Sequence, residues 1–518
     1  MIQRAKWPVL LALAAILILA GGLRAWHITS TGLTVDELGS LEVAAGRGQL
    51  HLRLPRSVWI DPAPAVTRFE GAAPIWRIAP MMGSDVHPPL YFISLRVWED
   101  LFGDSDAAIR LMSALFGVIG VALVFDIGRI LGTPAIGIWA ALLMAVAQPQ
   151  IISSQDARPY TLALAFILAA NDAVVRIDQL GLNPRRAIVL AIALAGACLT
   201  HYFVLPTIAA MSLYLLWRLR GKDRLRITLI LAAVGIFVLA IWGPSLWEQR
   251  KNFADPWMYW FNDDAPNHVT ATFRRFAELP LHFLADFRDP WAFISGILFL
   301  FPFLLLRRRP QFLLLGLWLV GTPAMVGALD LLRGTNQLDW IKYMIFSAPA
   351  AYLLFPLIVT DLRPILRHGL PATALLAAIL ALPTSYNHGE PLWTRVTKAL
   401  AQHRKSGDPI ILAGSTWGRW YTGALYMGIE RFSPPIDGPV ALLDAPATPQ
   451  FASSLRGRRA WLVMSWTNQS PADLLPGAGV HLVEGFPFVA MLYELHGPPA
   501  LPTSMPAATL PIEQKSRE

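Results

Sequence analysis

The sequence has little charge and almost no cysteine. Charged residues make up only 15% of the 518 residues, whereas hydrophobic residues make up 55% and the mean hydropathy is +0.47. A soluble domain contains about a quarter charged residues, so this composition excludes an ordinary soluble protein and indicates a chain with many membrane spans. The single cysteine, Cys198, excludes an intramolecular disulfide and carries no information on the redox compartment.

The net charge of +8 is not arranged as in a nucleic-acid-binding protein. Most Lys and Arg residues lie in short turns between hydrophobic runs, which is the pattern that orients membrane spans, so we expect no nucleic-acid partner. The first hydrophobic run, Trp7–Leu23, follows Arg4 and Lys6. We interpret it as a retained span rather than a signal peptide, because no small-residue cleavage site follows it and the hydrophobic runs continue.

Residues 1–385 read as a series of spans separated by basic turns. A span needs about 20 apolar residues, and cytoplasmic turns carry the excess of Lys and Arg. The run Leu90–Phe102 is short and charged, so we predict an amphipathic helix at the interface instead of a crossing. The remaining runs predict about eleven crossings, at 7–23, 109–130, 136–152, 161–175, 187–200, 203–217, 227–247, 290–306, 312–332, 343–360 and 370–382.

The chain is predicted to form two domains and a tail. Residues 1–385 form the multi-span domain, whose first external loop, 24–106, contains interfacial helices. Residues 386–497 are predicted to form a small extracytoplasmic α/β domain, and the Pro-, Ala- and Thr-rich residues 498–518 a disordered tail. The buried strands of the α/β domain are indicated by short apolar runs at 408–413, 440–443, 460–465 and 480–494.

The predicted topology gathers polar side chains at the external ends of the spans. Carboxylates, imidazoles and cations in this position suit chemistry on a phosphorylated, membrane-borne substrate. Each also has a simpler interpretation: the arginines as interfacial anchors, the tyrosines as belt aromatics, the histidines as satisfied polar groups. The set comprises Asp36, Glu37, Asp85, His87, Arg110, Asp156, Arg158, Tyr160, His201, Tyr202, Asp339, Lys342 and Tyr343.

The two adjacent acids are expected to have different roles. Thr34 and Glu37 have the spacing of a helix capping box, in which Glu37 would only fix the start of a helix. Neighbouring residues on a helix face different directions, so one shared role is not expected. The capping box does not use Asp36, which is therefore the better candidate for a catalytic base.

Four motifs resemble those of membrane glycosyltransferases of the GT-C fold. They are similar to motifs of protein O-mannosyltransferases, of the aminoarabinose transferase of lipid A and of bacterial transferases of lipopolysaccharide core sugars. The resemblance covers about residues 5–220 closely and extends more loosely to 385. The motifs are Asp36-Glu37, Asp85-Val86-His87-Pro88-Pro89-Leu90, Phe102-Gly103 through Arg110-Leu111, and Gln155-x-x-Arg158-Pro159-Tyr160.

The resemblance implies a polyprenyl-phosphate-linked sugar donor, a hydroxyl acceptor on a lipid, glycan or protein, and transfer on the extracytoplasmic face of the inner or plasma membrane. A phosphate leaving group needs cations rather than an acid, and one carboxylate base suffices, which predicts inversion at the sugar carbon. We therefore assign catalysis to Asp36 and Glu37. The candidates for binding the donor phosphate and substrate are His87, Arg110, Arg158, Tyr160, His201, Lys342 and Tyr343.

The residues leave two alternatives open, a metal cofactor and a different function. A divalent metal would have Asp36, Asp85, His87 and His201 as candidate ligands. Aminoarabinose transferases have Glu-Lys where this chain has Val86-His87, so their metal site is not implied. A transporter or flippase of lipid-linked sugars is the alternative function, although the sequence shows no internal repeat and its polar residues lie at span ends.

Overall fold

The computed structural model describes residues 7–251, 267–285, 296–297, 299–300, 310–386, 392–414, 419–432, 436–465, 469–486 and 490–497. The chain divides into two compact units. The first, here called the membrane unit, comprises Met1–Leu50 and Val66–Pro391. The second, the sheet unit, comprises His51–Ala65 and Leu392–Glu518. Part of the loop predicted over 24–106 therefore belongs to the sheet unit.

The membrane unit contains helices and no strand within its described residues. Short 3₁₀ helices connect several of its elements, among them Met82–Ser84, Tyr202–Val204, Gln337–Asp339 and Ile341–Tyr343. Its α-helices are α1 Trp7–Ala25, α2 Val35–Ala44, α4 Ile78–Met81, α5 Leu90–Phe102, α6 Asp106–Leu131, α7 Pro134–Val146, α8 Gln148–Ser154, α9 Tyr160–Leu180, α10 Pro184–Cys198, α11 Leu205–Arg218, α12 Gly221–Gln249, α13 His268–Glu278, α14 Pro310–Arg333, α15 Ala348–Val359 and α16 Pro364–Ala381; α3, Leu50–Arg53, lies where the two units meet in sequence.

The chain is a multi-pass membrane protein, but the predicted count of about eleven spans is not confirmed. Within the described residues, 6 helices are long and apolar enough to cross a membrane, or up to 7 if the bent pair α7 and α8 is one span. The apolar helices Tyr202–Arg218 and Ala348–Val359 fall short of that length. Most of the span predicted over 290–306 lies outside the described residues. The helix predicted at Leu90–Phe102 has those bounds.

Helices α6 and α7 pack with their backbones almost touching. A Cβ atom on Gly128 of α6 would lie 2.9 Å from the Cα atom of Gly137, and one on Gly137 would lie 2.4 Å from the carbonyl oxygen of Phe125. Lipid tails are as apolar as leucine, so spans associate through close packing, and small residues allow that approach. Helix α6, which α9 also contacts, thereby lies at the centre of the bundle.

A 61° break between α7 and α8 redirects the chain towards the loop that follows. Pro149 lacks an N–H group and cannot continue the hydrogen bonding of α7, so carbonyl groups at the end of α7 lose their helical partners. The buried guanidinium of Arg24 donates to the carbonyl oxygens of Ala145 (3.0 Å) and Met144 (3.3 Å) and to Ser154 of α8 (3.1 Å). The break is thus satisfied by α1, and α8 delivers residues 155–158 to the next loop.

The sheet unit contains a five-stranded mixed sheet in the order β2-β1-β3-β5-β4. Strand β1 is parallel to β2 and β3, whereas β5 is antiparallel to β3 and β4. The run predicted as one strand over 480–494 is two strands of a hairpin. The elements are α17 Leu392–His403, β1 Ile410–Gly414, α18 Arg419–Phe432, β2 Val440–Leu443, α19 Pro449–Ser454, β3 Arg459–Ser465, α20 Pro471–Leu474, β4 Gly479–Phe486 and β5 Ala490–His496.

Residues from the loop predicted over 24–106 complete the sheet unit. Arg56 pairs with Asp444 at the end of β2 (2.7 Å), and the indole N–H of Trp59 donates to Ser454 (2.9 Å). Ile60 forms a bridge with Val440 of β2. A segment more than 370 residues away in sequence thus supplies part of the packing, and the predicted tail 498–518 lies outside the described residues.

Candidate active site

The first candidate side chains are set by the start of α2. Thr34 accepts a hydrogen bond from the N–H of Glu37 (3.2 Å), and the Glu37 carboxylate accepts one from the N–H of Thr34 (2.8 Å). This is the capping box that the spacing predicts, and it satisfies two N–H groups that a helix start leaves without partners. Asp36 and Glu37 then leave the first turn in different directions.

Glu37 is buried and forms a two-point ion pair with Arg110 of α6. The Arg110 Nε and Nη2 atoms lie 2.6 and 2.7 Å from the two carboxylate oxygens, and the side chains are only 2% and 1% exposed. The N–H of Ala157 adds a further hydrogen bond to Glu37 at 3.0 Å. A carboxylate so fully engaged joins α2, α6 and the loop after α8, so its position supports a structural role.

Arg110, predicted as a donor-phosphate ligand, is engaged by other groups of the protein. Its Nη1 atom donates to the carbonyl oxygens of Ile28 and Thr31, both at 2.7 Å, and its Nη2 atom donates to that of Gly32 at 3.0 Å. Together with the two bonds to Glu37, these contacts use all N–H groups that a guanidinium has. These contacts fix the turn before α2 and support a structural role for Arg110.

Asp36 faces the opposite way and remains accessible. Its carboxylate lies 2.9 Å from the Lys342 ammonium group, and the two side chains are 42% and 25% exposed. Burial alone would raise the pKa of Asp36, but the charges of Lys342 and Arg158 and the hydrogen bond from Lys342 hold it well below its usual range. Asp36 is therefore ionised and can only accept hydrogen bonds.

Arg158 contacts the backbone of Asp36 and is 8% exposed. Its Nη1 atom donates to the backbone carbonyl of Asp36 (3.0 Å) and to the hydroxyl of Ser40 (3.1 Å), one helical turn further along α2. Its Nη2 atom lies 3.3 Å from Nε2 of His87, and its Nε atom has no hydrogen-bond partner among the described residues. One edge of the guanidinium is thus held by protein while the Nε edge retains donor capacity.

His87 is oriented by Asp85. One oxygen of Asp85 accepts hydrogen bonds from the N–H groups of Val86 (2.6 Å) and His87 (2.8 Å) and lies 3.1 Å from Nδ1 of His87. Burial would raise the pKa of Asp85, but the hydrogen bonds from His87 and Val86 and the charge of Arg158 outweigh it and lower the pKa. The ionised carboxylate favours a proton on Nδ1, so Nε2 can accept from Arg158.

Aromatic rings surround the cations of the site. The His201 ring lies 5.3 Å from the ring of Tyr160, and the Tyr343 ring lies 5.0 Å from that of Phe203. The Lys342 ammonium group lies 5.6 Å from the centre of the Tyr343 ring. Such rings attract a cation and exclude water, which strengthens the charge interactions beside them.

His201 is a buried, neutral hydrogen-bond donor. Its Nδ1 atom accepts from the N–H of Phe203 at 3.1 Å, which places the proton on Nε2, and Nε2 has no partner among the described residues. Burial and the nearby charges of Arg158 and Lys342 lower the pKa of His201 well below its usual value. The side chain is 4% exposed. It therefore offers one fixed donor without charge.

Several residues of the site were given no role by the sequence. Ser40 lies four positions after Asp36, a spacing that places both on one helix face and could have indicated it. Asp156 was placed on the external face but not assigned; burial and the charge of Glu37 raise its pKa to about 7. In the described part of the chain, no group of three His, Cys, Asp or Glu side chains is placed to hold a metal ion.

Sequence comparison identifies one related family. The family described as "Dolichyl-phosphate-mannose-protein mannosyltransferase" matches residues 86–247, which include the motifs around His87, Arg110 and Arg158. None of the curated proteins matches this chain in sequence. The predicted resemblance to protein mannosyltransferases is thus confirmed for residues 86–247.

Structural comparison extends the similarity over nearly the whole chain. The crystal structure of ArnT from Cupriavidus metallidurans in the apo state matches with a TM-score of 0.59 at 15% identity, covering 94% of this chain and 97% of ArnT. The ArnT structure bound to undecaprenyl phosphate matches with a TM-score of 0.57 at 16% identity, covering 95% and 98%. The apo oligosaccharyltransferase of Archaeoglobus fulgidus matches at 0.51 and 13%, covering 89% and 70%. These similarities confirm the predicted GT-C fold.

Proposed function

We propose that this chain, which has the GT-C fold, is a glycosyltransferase that moves a sugar from a polyprenyl-phosphate-linked donor to an acceptor hydroxyl. The observation that carries the proposal is the accessible ion pair of Asp36 and Lys342, with Arg158 behind it, at one end of the membrane unit. A carboxylate and two cations within one cluster match the needs of this reaction, a base for the acceptor and positive charge for the departing phosphate. The binding of undecaprenyl phosphate by ArnT supports the class of donor.

The donor phosphate would be held by side chains that keep unused donors. The Nε–H group of Arg158 and the Nε2–H group of His201 are buried and have no partner among the described residues. A phosphoryl oxygen accepts strong hydrogen bonds from such groups, and guanidinium donors are charge-assisted. Tyr160 and Tyr343 line the same region. The ammonium group of Lys342, which is partly exposed, supplies a mobile point charge.

Lys342 would link donor binding to the strength of the base. In the ion pair, Lys342 keeps the pKa of Asp36 low, and a carboxylate with a low pKa is a weak base. A phosphate placed against Lys342 competes with Asp36 for the ammonium group and adds negative charge nearby. Both effects raise the pKa of Asp36. The base is therefore strengthened when the donor is bound, which favours donor binding before transfer.

In the transfer step, the acceptor oxygen forms a bond to the anomeric carbon while the bond from that carbon to the phosphate oxygen breaks. The hydroxyl proton passes to Asp36, and the electron pair of the broken bond stays on the polyprenyl phosphate. Arg158 and Lys342 stabilise the charge that develops on this leaving group. Direct displacement of this kind inverts the configuration of the sugar carbon.

The test is reconstitution of the purified full-length chain in vesicles with a radiolabelled polyprenyl-phosphate sugar and a hydroxyl acceptor extract. We expect label to move to the acceptor with release of polyprenyl phosphate. Label that crosses the bilayer while it remains on the polyprenyl carrier would instead support the flippase alternative. Binding of the carrier with neither transfer nor crossing would support a lipid-binding scaffold and contradict the proposal.

We further propose that the site faces the extracytoplasmic side. The support is the excess of Lys and Arg in the turns at the other ends of the spans. In a Cys198→Ala background, Ser30→Cys and Ser406→Cys should react with a membrane-impermeant thiol reagent in intact cells. Gln179→Cys is the matched control, since it lies at the far end of α9 from Tyr160 and should react only after lysis. The reverse labelling pattern would place the site inside the cell.

A further inference from the structure

Gln249 is the last residue of α12 and is completely buried. Its Nε2 atom donates to the carbonyl oxygens of Met82 (2.8 Å) and His87 (3.1 Å). Its Oε1 atom accepts from the hydroxyl of Tyr202 at 2.5 Å, and that hydroxyl accepts from the indole N–H of Trp242 at 2.8 Å. Both N–H groups and the carbonyl of one carboxamide are therefore used, and they join three separate parts of the membrane unit.

The two carbonyl groups that Gln249 binds lie at the ends of the turn 82–87. Asp85 lies within this turn and orients the His87 ring, which contacts Arg158. Arg158 in turn reaches the backbone of Asp36. A continuous series of hydrogen bonds thus leads from the end of α12 to the start of α2, and its members are buried or half-buried.

We infer that Gln249 is a positioning residue for the donor-phosphate site: it fixes the turn 82–87 so that His87 holds Arg158 in place. The inference rests on the proposed function. Among the common side chains of this length, only a glutamine donates two hydrogen bonds and accepts a third from a hydroxyl. An ionised glutamate would face two carbonyl oxygens without a proton to donate, and a methionine would leave both carbonyls unpaired.

The main variant is Gln249→Met, which keeps the length and volume of the side chain. In the reconstituted full-length protein we expect the KM for the donor to rise about 5- to 30-fold, the factor that one to two kcal/mol represents. The fall in kcat should be smaller than this factor. Gln148→Met is the matched control, because Gln148 is also buried and donates to Thr384 at 2.7 Å, away from the turn. The control should lower the melting temperature without changing the donor KM.

A double-mutant cycle separates positioning from a general structural role. In a His87→Ala background, Gln249→Met should change the donor KM little, because its effect passes through His87. If the two effects multiply, Gln249 acts independently of His87 and the inference is wrong. A lower melting temperature with an unchanged donor KM would also overturn it.

A second measurement does not depend on transferase activity. Hydrogen–deuterium exchange of the peptide that contains residues 82–91 should be faster in Gln249→Met than in the wild type and unchanged in Gln148→Met. Unchanged exchange in Gln249→Met contradicts the inference whatever the protein catalyses. Faster exchange in a chain that shows no sugar transfer would keep the role of Gln249 in the turn and reject the proposed function.

Discussion

Asp36 and Glu37 are neighbours on α2, and each is paired with a cation, but the two ion pairs differ in burial and geometry. Glu37 meets Arg110 through two short hydrogen bonds, and both side chains are at most 2% exposed. Asp36 meets Lys342 through a single contact, and its side chain is 42% exposed. Adjacent positions of α2 therefore hold two different ion pairs. We call the buried pair of Glu37 and Arg110 the closed pair, and the accessible pair of Asp36 and Lys342 the open pair.

The difference shows how one helix start can provide both rigidity and reactivity. A buried pair has no water to replace either partner, so removal of one partner leaves an uncompensated charge and is strongly destabilising. An exposed pair between a carboxylate and an ammonium contributes little to stability and exchanges its partner easily. The closed pair is thus suited to hold α2 in place, and the open pair is suited to receive a substrate.

The largest effect that follows from this comparison is expected for Asp36→Asn. The amide keeps the shape of the carboxylate but cannot remove a proton, and loss of a general base costs about 10²–10⁴-fold in turnover. Donor affinity should not fall and is expected to rise, because the phosphate no longer competes with a carboxylate for Lys342. Single-turnover kinetics with the labelled donor measure both quantities. Wild-type turnover in Asp36→Asn would mean that the open pair does not contain the base.

Arg158→Ala should weaken donor binding as well as turnover, because the phosphate is charged in the ground state and in the transition state alike. Loss of charge-assisted hydrogen bonds predicts a rise in donor KM of about 10- to 100-fold. Arg158→Lys should recover only part of this, since a lysine cannot present two N–H groups in one plane. Full recovery by lysine would show that only the charge matters. Titration with the donor measures these differences.

Glu37→Gln tests the closed pair. The glutamine keeps one oxygen acceptor for the buried Arg110 guanidinium but carries no negative charge. We therefore expect the free energy of unfolding to fall by about 3–5 kcal/mol, as for other broken buried pairs. Turnover per folded molecule should fall only mildly. The double variant Glu37→Gln with Arg110→Met should regain part of the stability, because no unpaired charge remains. Thermal unfolding in detergent gives the comparison, and a stable but inactive Glu37→Gln protein would exchange the roles of the two acids.

Lys342→Met should change the pH dependence of the reaction. Lys342 lowers the pKa of Asp36, so its removal raises that pKa. Because the base must be ionised, the acidic limb of the profile of kcat/KM against pH is expected to move to higher pH. Lys398→Met, on an exposed residue of the sheet unit, is the control and should leave the profile unchanged. An unmoved acidic limb in Lys342→Met would disconnect Lys342 from the base.

The smallest effect is expected at Asp156, beside the closed pair. Its pKa in the folded protein is about 7, above the usual value of 3.8, so the folded state binds the proton more tightly than the unfolded state. Asp156 therefore contributes stability that is present below pH 4 and is lost as the pH rises to about 7. In Asp156→Asn the melting temperature should depend less on pH over this range. An identical slope in the wild type and the variant would contradict this expectation.

The sequence predicted some elements of the site well. The capping box at Thr34 and Glu37 and the helix at Leu90–Phe102 follow from patterns within a few residues. Helix α9 begins at Tyr160, one residue before the predicted start of that span. The number of spans did not follow as well, because hydropathy does not show where a proline breaks an apolar run. The break before Pro149 is an example: 136–152 reads as one span, but the structure has two helices at 61°.

The sequence by itself determined that this is a membrane protein with acids and cations at the ends of its spans, since hydropathy, basic turns and helix caps are local properties. Only the tertiary structure decided which acid meets which cation. Glu37 and Arg110 are 73 positions apart, and Asp36 and Lys342 are 306 positions apart. The physical reason is that a side chain's partner and exposure depend on how distant helices pack, and Coulomb energy depends on distance in space rather than along the chain.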